Sequence, residues 1–173
     1  LINLANKHPR VNILEPGIGV GGHCIAVDPW FIVHSLPEEA NLIKTAREVN
    51  DNKPEFIATK VQNIAKNFAN PKITCLGLTY KPNIDDIRES PAIKFVLNLA
   101  PDSKLQIFTI DPHVTNIPKE FKIYINISHV NNILETINSS DIIICAIKHD
   151  EFKTINFNQI KDKIIDVCGI LNK

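Results

Sequence analysis

Residues 72–99, KITCLGLTYKPNIDDIRESPAIKFVLNL, decide the fold. Lys72–Leu78 is an apolar run bounded by Pro71 and a polar loop, the pattern of a strand buried on both faces. Ser90 then caps a helix that runs to Leu99, with Pro91 at its first position, where the missing N–H is not needed. The same alternation continues downstream. Leu105–Ile110, Lys122–Ile125, Asp141–Ile147 and Lys163–Val167 read as strands. His129–Asn138 reads as a helix and Phe152–Ile160 as short helical turns. Asp141–Ile147 is placed centrally by its apolar run. Strands alternating with helices indicate a parallel sheet covered on both faces. The expected fold class is therefore α/β, with a Rossmann-like parallel-sheet domain over residues 71–173.

Upstream of Pro71 the pattern is helical. An apolar helix is expected from Val27 to Ser35. Ser35-x-x-Glu38 reads as a capping box with Pro37 in the first turn. The helix that follows carries Leu42, Ala46, Val49, Phe56, Val61, Ile64 and Phe68 at close to 3.6-residue spacing. Pro54 should kink it rather than end it, because the apolar face resumes in phase. Residues 1–70 thus form a first domain built on a long central helix. At its start, the end of a helix gives way to an extended segment in which His8 and Arg10 flank Pro9.

Composition narrows the function. The 173 residues carry 19 basic and 19 acidic side chains, for zero net charge. That speaks against nucleic acid and against electrostatic attachment to a membrane. No apolar run approaches the ~20 residues of a membrane helix, and no secretory signal is visible. The four cysteines form no CxxC pair, so neither a zinc site nor a disulfide framework is expected. Cys75 and Cys145 sit in strand-like runs and read as structural. A reducing cytoplasm fits best. The chain opens on Leu1 and contains no methionine, so a fragment is expected.

Chemistry concentrates in residues 16–31, PGIGVGGHCIAVDPWF, which hold four of the six glycines. Gly17, Gly19, Gly21 and Gly22 let the backbone approach a ligand closely. Cys24 follows, and Asp28 lies one helical turn beyond it. Glycines, then a thiol, then a carboxylate can form a covalent active site. The plainer reading is a glycine-rich turn with a buried structural cysteine. A second charged stretch, Thr79–Glu89, carries Lys81, Asp85, Asp86 and Arg88 at a strand's carboxyl end, where α/β sheets bind ligands. It could hold phosphate or ribose, or be a solvated loop. A dinucleotide fingerprint G-x-G-x-x-G is absent there, since only Gly77 is present. Asp111, at the end of the second strand, reads as a strand-end cap rather than a ribose ligand.

GGHCIAVDPWF (21–31) resembles the catalytic-cysteine motif of the nucleotide-sugar 6-dehydrogenases, a family that includes UDP-glucose dehydrogenase. LGLTYKPNIDDIRESPA (76–92) resembles the C-terminal domain of that same family. The resemblance runs from about His8 to the end of the chain. It implies an NAD-dependent oxidation of C6 of a UDP-sugar from alcohol to carboxylate, in two hydride transfers, for surface polysaccharide biosynthesis. The run HPRVNILEPGIGVGGHCIAVDPWFIV (8–33) points within the family to UDP-N-acetylmannosamine as substrate, with UDP-glucose and UDP-N-acetylglucosamine as rivals. A non-catalytic nucleotide-binding or dimerisation module is the other alternative. By resemblance, Cys24 is the nucleophile that takes the aldehyde, and Asp28 orients water or merely caps a helix. Gly21, Tyr80 and Lys81 meet the substrate, and His8 and Arg10 reach the substrate of a neighbouring subunit. Arg88 reaches the pyrophosphate of NAD, which sits on an N-terminal domain absent from this chain. The long helix makes a homodimer. One departure stands out. Cys168, in DVCGIL, occupies a place where relatives carry Lys or Arg, so the contact is lost or supplied by a neighbour such as Lys173.

Overall fold

The computed structural model describes residues 1–171. Its centre is a five-stranded, wholly parallel sheet in the order β3-β2-β1-β4-β5. The strands are β1 (Lys72–Leu76), β2 (Gln106–Ile110), β3 (Ile127–His129), β4 (Ile142–Cys145) and β5 (Ile164–Asp166). Strand order reverses between β1 and β4, which pair from Ile73↔Ile142 to Leu76↔Cys145. Both strands are buried on both faces, as expected for strands flanked by neighbours and covered by helices.

Helices α4 (Lys53–Ala65) and α5 (Pro91–Leu99) pack together on one face, where Val61, Phe95, Val96 and Leu99 meet Ile73 and Ile144. On the other face Leu76, Ile143 and Cys145 pack against Ile137 of α6 (Ile133–Ser139) and Phe152 of α7 (Asp150–Lys153). Ser90 caps α5 as expected, its hydroxyl accepting from the Ala92 amide at 3.2 Å. A short α1 (Ile2–Ala5) opens the chain. Among the described residues no helix is long and apolar enough to cross a membrane.

Four expectations need correction. The third strand lies at Ile127–His129, not 122–125. Lys119–Phe121 winds into a 3-10 turn over the buried Phe121, and Tyr124 donates back to the Phe121 carbonyl, which leaves Ile123 and Ile125 exposed. α6 starts at Ile133 rather than His129, because Asn132 caps it by accepting from the Glu135 amide. The Ser35–Glu38 capping box does not form. Ser35 ends α2 (Asp28–Ser35), and α3 (Asn41–Asp51) starts after Ala40 with no side-chain cap. The long helix is two, α3 and α4. They are separated by Asn52 alone, whose backbone stays right-handed helical (φ −81°, ψ −11°). Pro54 then falls in the first turn of α4, where it needs no donor. The apolar stripe is also mostly uncovered: Val61 is buried and Ile64 partly so, while Leu42, Ala46, Val49, Phe56 and Phe68 are exposed.

Candidate functional site

β1 and β4 stay paired to their carboxyl ends, but the chain after β1 leads to α5 on one face of the sheet and the chain after β4 to α7 on the other. Such a switch point is the usual ligand position in these sheets. Gly77 marks the point. Its φ is +91°, and a Cβ there would lie 2.4 Å from Cβ of Ile147. Only glycine fits both the conformation and the approach. A cleft of about 400 Å³ lies beyond it. Tyr80, Lys81 and Pro82 line it after β1, Ala146, Ile147 and Lys148 after β4, and Cys168 after β5. The segment from Leu14 to Gly21, with Ile25, closes the opposite side.

The glycine-rich segment is held in place by contact. A Cβ on Gly21 would meet the Glu89 carbonyl oxygen at 2.3 Å and Cδ of Pro91 at 2.8 Å. Gly22 (φ +91°) lies against the Tyr80 ring, which a Cβ would touch at 2.9 Å, and its amide donates to the Arg88 carbonyl at 3.2 Å. Gly17, Gly19 and Gly21 therefore line the cleft, whereas Gly22 serves the packing between the two loops. Asn50 of α3 fixes the same segment from behind, accepting from the Val20 amide at 2.8 Å and donating to its carbonyl at 3.2 Å.

Cys24 is exposed. Its carbonyl accepts from the amides of Val27 and Asp28, so the thiol sits at the turn that enters α2. In this chain Cys24 is therefore not a buried cysteine. Asp28 is the first residue of α2 and makes no side-chain cap bond. Arg88 is exposed and outside the cleft lining. Its guanidinium holds Asp86 at 2.6 Å and lies 3.3 Å from Nδ1 of His23. Those hydrogen bonds bring the Asp86 carboxyl down to about 2. His8 and Arg10 are exposed and outside the cleft lining, the Arg10 amide meeting Nδ1 of His8 at 3.3 Å. The structure thus gathers Gly21, Tyr80 and Lys81 in one cleft and leaves His8 and Arg10 apart from it.

The other cysteines differ from Cys24. Cys75 and Cys145 are fully buried, and burial raises both thiols far above their ordinary value. Cys168 is pushed up to about 12, first by burial and then by Asp166. Lys148 is the residue sequence reasoning missed. Its ammonium donates to the Gly169 carbonyl at 3.0 Å, beside Cys168 and within the cleft lining. The one available signal was its place just past the most apolar strand. Lys173, named above as a substitute cation, lies outside the described residues.

Asp111 is a strand-end cap. Its carboxylate accepts from the amides of Leu78 (2.6 Å), Thr79, His113 (2.9 Å) and Val114. Burial alone would raise this acid, but the His149 and amide hydrogen bonds outweigh it and hold it below the usual range. The amides of the β1 turn, which a dinucleotide would need, are thus already taken. The described α/β lobe does not fit NAD. His113, His149 and Glu151 bring potential ligand atoms within 4.8 Å of one another, yet both His149 nitrogens are committed to hydrogen bonds.

Comparison with known proteins gives the family. Residues 74–173 match the UDP binding domain of the UDP-glucose/GDP-mannose dehydrogenase family, and residues 1–52 match its central domain. The chain is 48% identical over 168 residues to the UDP-N-acetyl-D-mannosamine dehydrogenase of Campylobacter jejuni, covering 97% of this chain and 40% of that protein. It is 41% identical to the Escherichia coli K12 enzyme of the same name, covering 98% and 42%. Among solved structures, a UDP-D-ManNAc dehydrogenase from Pyrococcus horikoshii superposes with a TM-score of 0.77 at 35% identity, over 99% of this chain and 40% of that one. The chain spans about 40% of the length of the curated relatives it matches. It belongs to the UDP-glucose/GDP-mannose dehydrogenase family.

Proposed function

We propose that this chain is the C-terminal part of an NAD-dependent UDP-N-acetyl-D-mannosamine dehydrogenase of surface polysaccharide synthesis, working in the cytoplasm. The observation that carries the reading is an exposed thiol, Cys24, next in the chain to Ile25, which lines a cleft of about 400 Å³ at the sheet's switch point. The cleft takes the UDP part, with Tyr80 offering a ring face and Lys81 and Lys148 offering ammonium groups to phosphate. The sugar extends past Gly17–Gly21 towards Cys24. The hydride acceptor belongs to a part of the protein outside this chain, since the α/β lobe does not fit it.

Cys24 matters at the second oxidation. An aldehyde at C6 has no hydride to give until a nucleophile adds. Sγ of Cys24 bonds to C6, and the former carbonyl oxygen takes a proton, forming a thiohemiacetal. Loss of hydride from C6 and of the hydroxyl proton leaves a thioester. Water adds to it, the C6–S bond breaks, the thiol is regained and the carboxylate departs. The exposed Asp28, one turn along the chain, orients that water. Its place in the first turn of α2 favours a second role, complementing the helix dipole. Arg88 reaches the dinucleotide pyrophosphate, and His8 and Arg10 reach the sugar nucleotide of a second subunit.

The outward line of Leu42, Val49 and Phe56 supports a homodimer through α3 and α4. Cys24→Ser in the full-length enzyme tests the central claim. Acid product should be lost while the circular dichroism spectrum and UDP binding persist. Retained acid formation overturns the covalent role. A substrate panel separates UDP-N-acetylmannosamine from UDP-glucose and UDP-N-acetylglucosamine. This chain alone should release no NADH from UDP-N-acetylmannosamine and NAD.

A further inference from the structure

We propose that His149 is a positioning residue: it latches the loop that carries Tyr80 and Lys81 to the turn after β4. The inference rests on the cleft being the UDP site. The loop from Gly77 to Glu89 has no regular secondary structure. A free loop of that length would have to be ordered by the ligand, at a cost in affinity. The structure orders it in advance, and His149 is the hub.

His149 is fully buried, between His113 (ring centroids 4.9 Å apart) and the edge of Phe152 (5.5 Å). Its Nδ1 accepts the Asn83 amide at 3.0 Å. A backbone N–H can only donate, so Nδ1 carries no proton and Nε2 does. Nε2–H faces Asp111 Oδ2 at 3.1 Å and Thr79 Oγ1 at 3.2 Å. Asp111 in turn holds the amides of Leu78 and Thr79, and the Thr79 hydroxyl donates to the Lys81 carbonyl at 2.9 Å. One imidazole therefore ties down the chain on both sides of Tyr80 and Lys81.

Asn83 completes the latch. Its φ of +60° is a left-handed conformation that is uncommon outside glycine and needs support. Asp150, the next residue after His149, provides it reciprocally: Asn83 Nδ2 donates to Asp150 Oδ2 at 2.9 Å, and the Asp150 amide donates to Asn83 Oδ1 at 3.0 Å. His149, Asn83, Thr79, Asp111 and Asp150 are all outside the cleft lining, so the latch acts through Tyr80 and Lys81 rather than on the ligand.

The test uses the full-length enzyme, with UDP as calorimetric probe alongside steady-state kinetics. In His149→Asn the side-chain oxygen replaces Nδ1 and still accepts the Asn83 amide. In His149→Gln the amide reaches towards Asp111 and that acceptor is lost. His149→Gln should weaken UDP binding about tenfold, the worth of roughly one buried hydrogen bond. His149→Asn should bind more tightly than His149→Gln. KM for the UDP-sugar should rise in step while kcat at saturation stays unchanged. Asn83→Ala, at the surface, should weaken UDP about threefold and decides the matter if the His149 variants fail to fold. Folded variants that bind UDP like the parent overturn the latch, as does a fall in kcat with UDP affinity intact. If the parent enzyme itself binds no UDP, the cleft reading fails and takes the latch with it. Parent binding with indifferent variants removes the latch alone.

Discussion

Gly21→Ala is the sharpest test of how the two loops meet. The added Cβ would sit 2.3 Å from the Glu89 carbonyl oxygen, 2.8 Å from Cδ of Pro91 and 3.0 Å from Cβ of Tyr80. An ordinary carbon–oxygen contact is about 3.3 Å, so the strands of chain must part by roughly 1 Å. Gly21 itself has no left-handed φ, and the whole effect therefore comes from contact rather than backbone strain. Overpacking of this kind costs about 1–3 kcal/mol. Moving Glu89 away also breaks the neighbouring bond from the Gly22 amide to the Arg88 carbonyl, worth about 1 kcal/mol net. The total is about 2–4 kcal/mol. It can appear as a lower denaturation midpoint, if the loops stay joined. It can appear instead as weaker UDP binding, if the glycine loop lifts off Tyr80. Urea denaturation and UDP calorimetry on the full-length enzyme read both. Gly17→Ala is the internal control for the denaturation midpoint, since its Cβ would meet nothing within 4 Å, and it should change the stability by less than about 0.5 kcal/mol. Gly21→Ala with the parent's midpoint and affinity would refute the proposed contact.

Brief alkylation of the native protein with iodoacetamide, mapped by mass spectrometry, should label Cys24 first. Cys75 and Cys145, fully buried, should label only after denaturation, and Cys168, half-buried with its thiol pushed up by burial and Asp166, should label more slowly than Cys24. Lys148→Ala should weaken UDP binding about tenfold, the loss of one charge-assisted hydrogen bond, with a shallower salt dependence than the parent. On the proposed homodimer through α3 and α4, Leu42→Asp with Phe56→Asp should lower the sedimentation coefficient of the full-length protein to that of a monomer without unfolding it, because both side chains are exposed in the single chain.

Several elements were legible from local pattern. β1, β2 and β4 were read from continuous apolar runs, and α5 from Ser90-Pro91, because burial on two faces and capping leave signatures within a few residues. β3 was misplaced because Lys122–Ile125 carries the same alternation as a strand. What decides its fate is Phe121, which is drawn under the sheet and turns its neighbours outward. The start of α3 was misjudged for a similar reason. Ser35-x-x-Glu38 has the composition of a capping box, but Ser35 is already spent as the last turn of α2.

By itself the sequence determined the α/β alternation, the missing dinucleotide turn, the role of Asp111 and the glycine–cysteine segment. Each reading depends on residues close together in the chain, although the amides that Asp111 takes at Leu78 and Thr79 lie more than thirty residues away. Only the tertiary structure decided that Gly21 and Gly22 fit against Glu89 and Tyr80, nearly sixty or seventy residues away. It alone put Lys148 beside Cys168 and seated His149 against Asn83 and Asp111. Those meetings follow from the reversal of strand order between β1 and β4. Hydrophobic periodicity records that a strand is buried, but not which strand lies beside it.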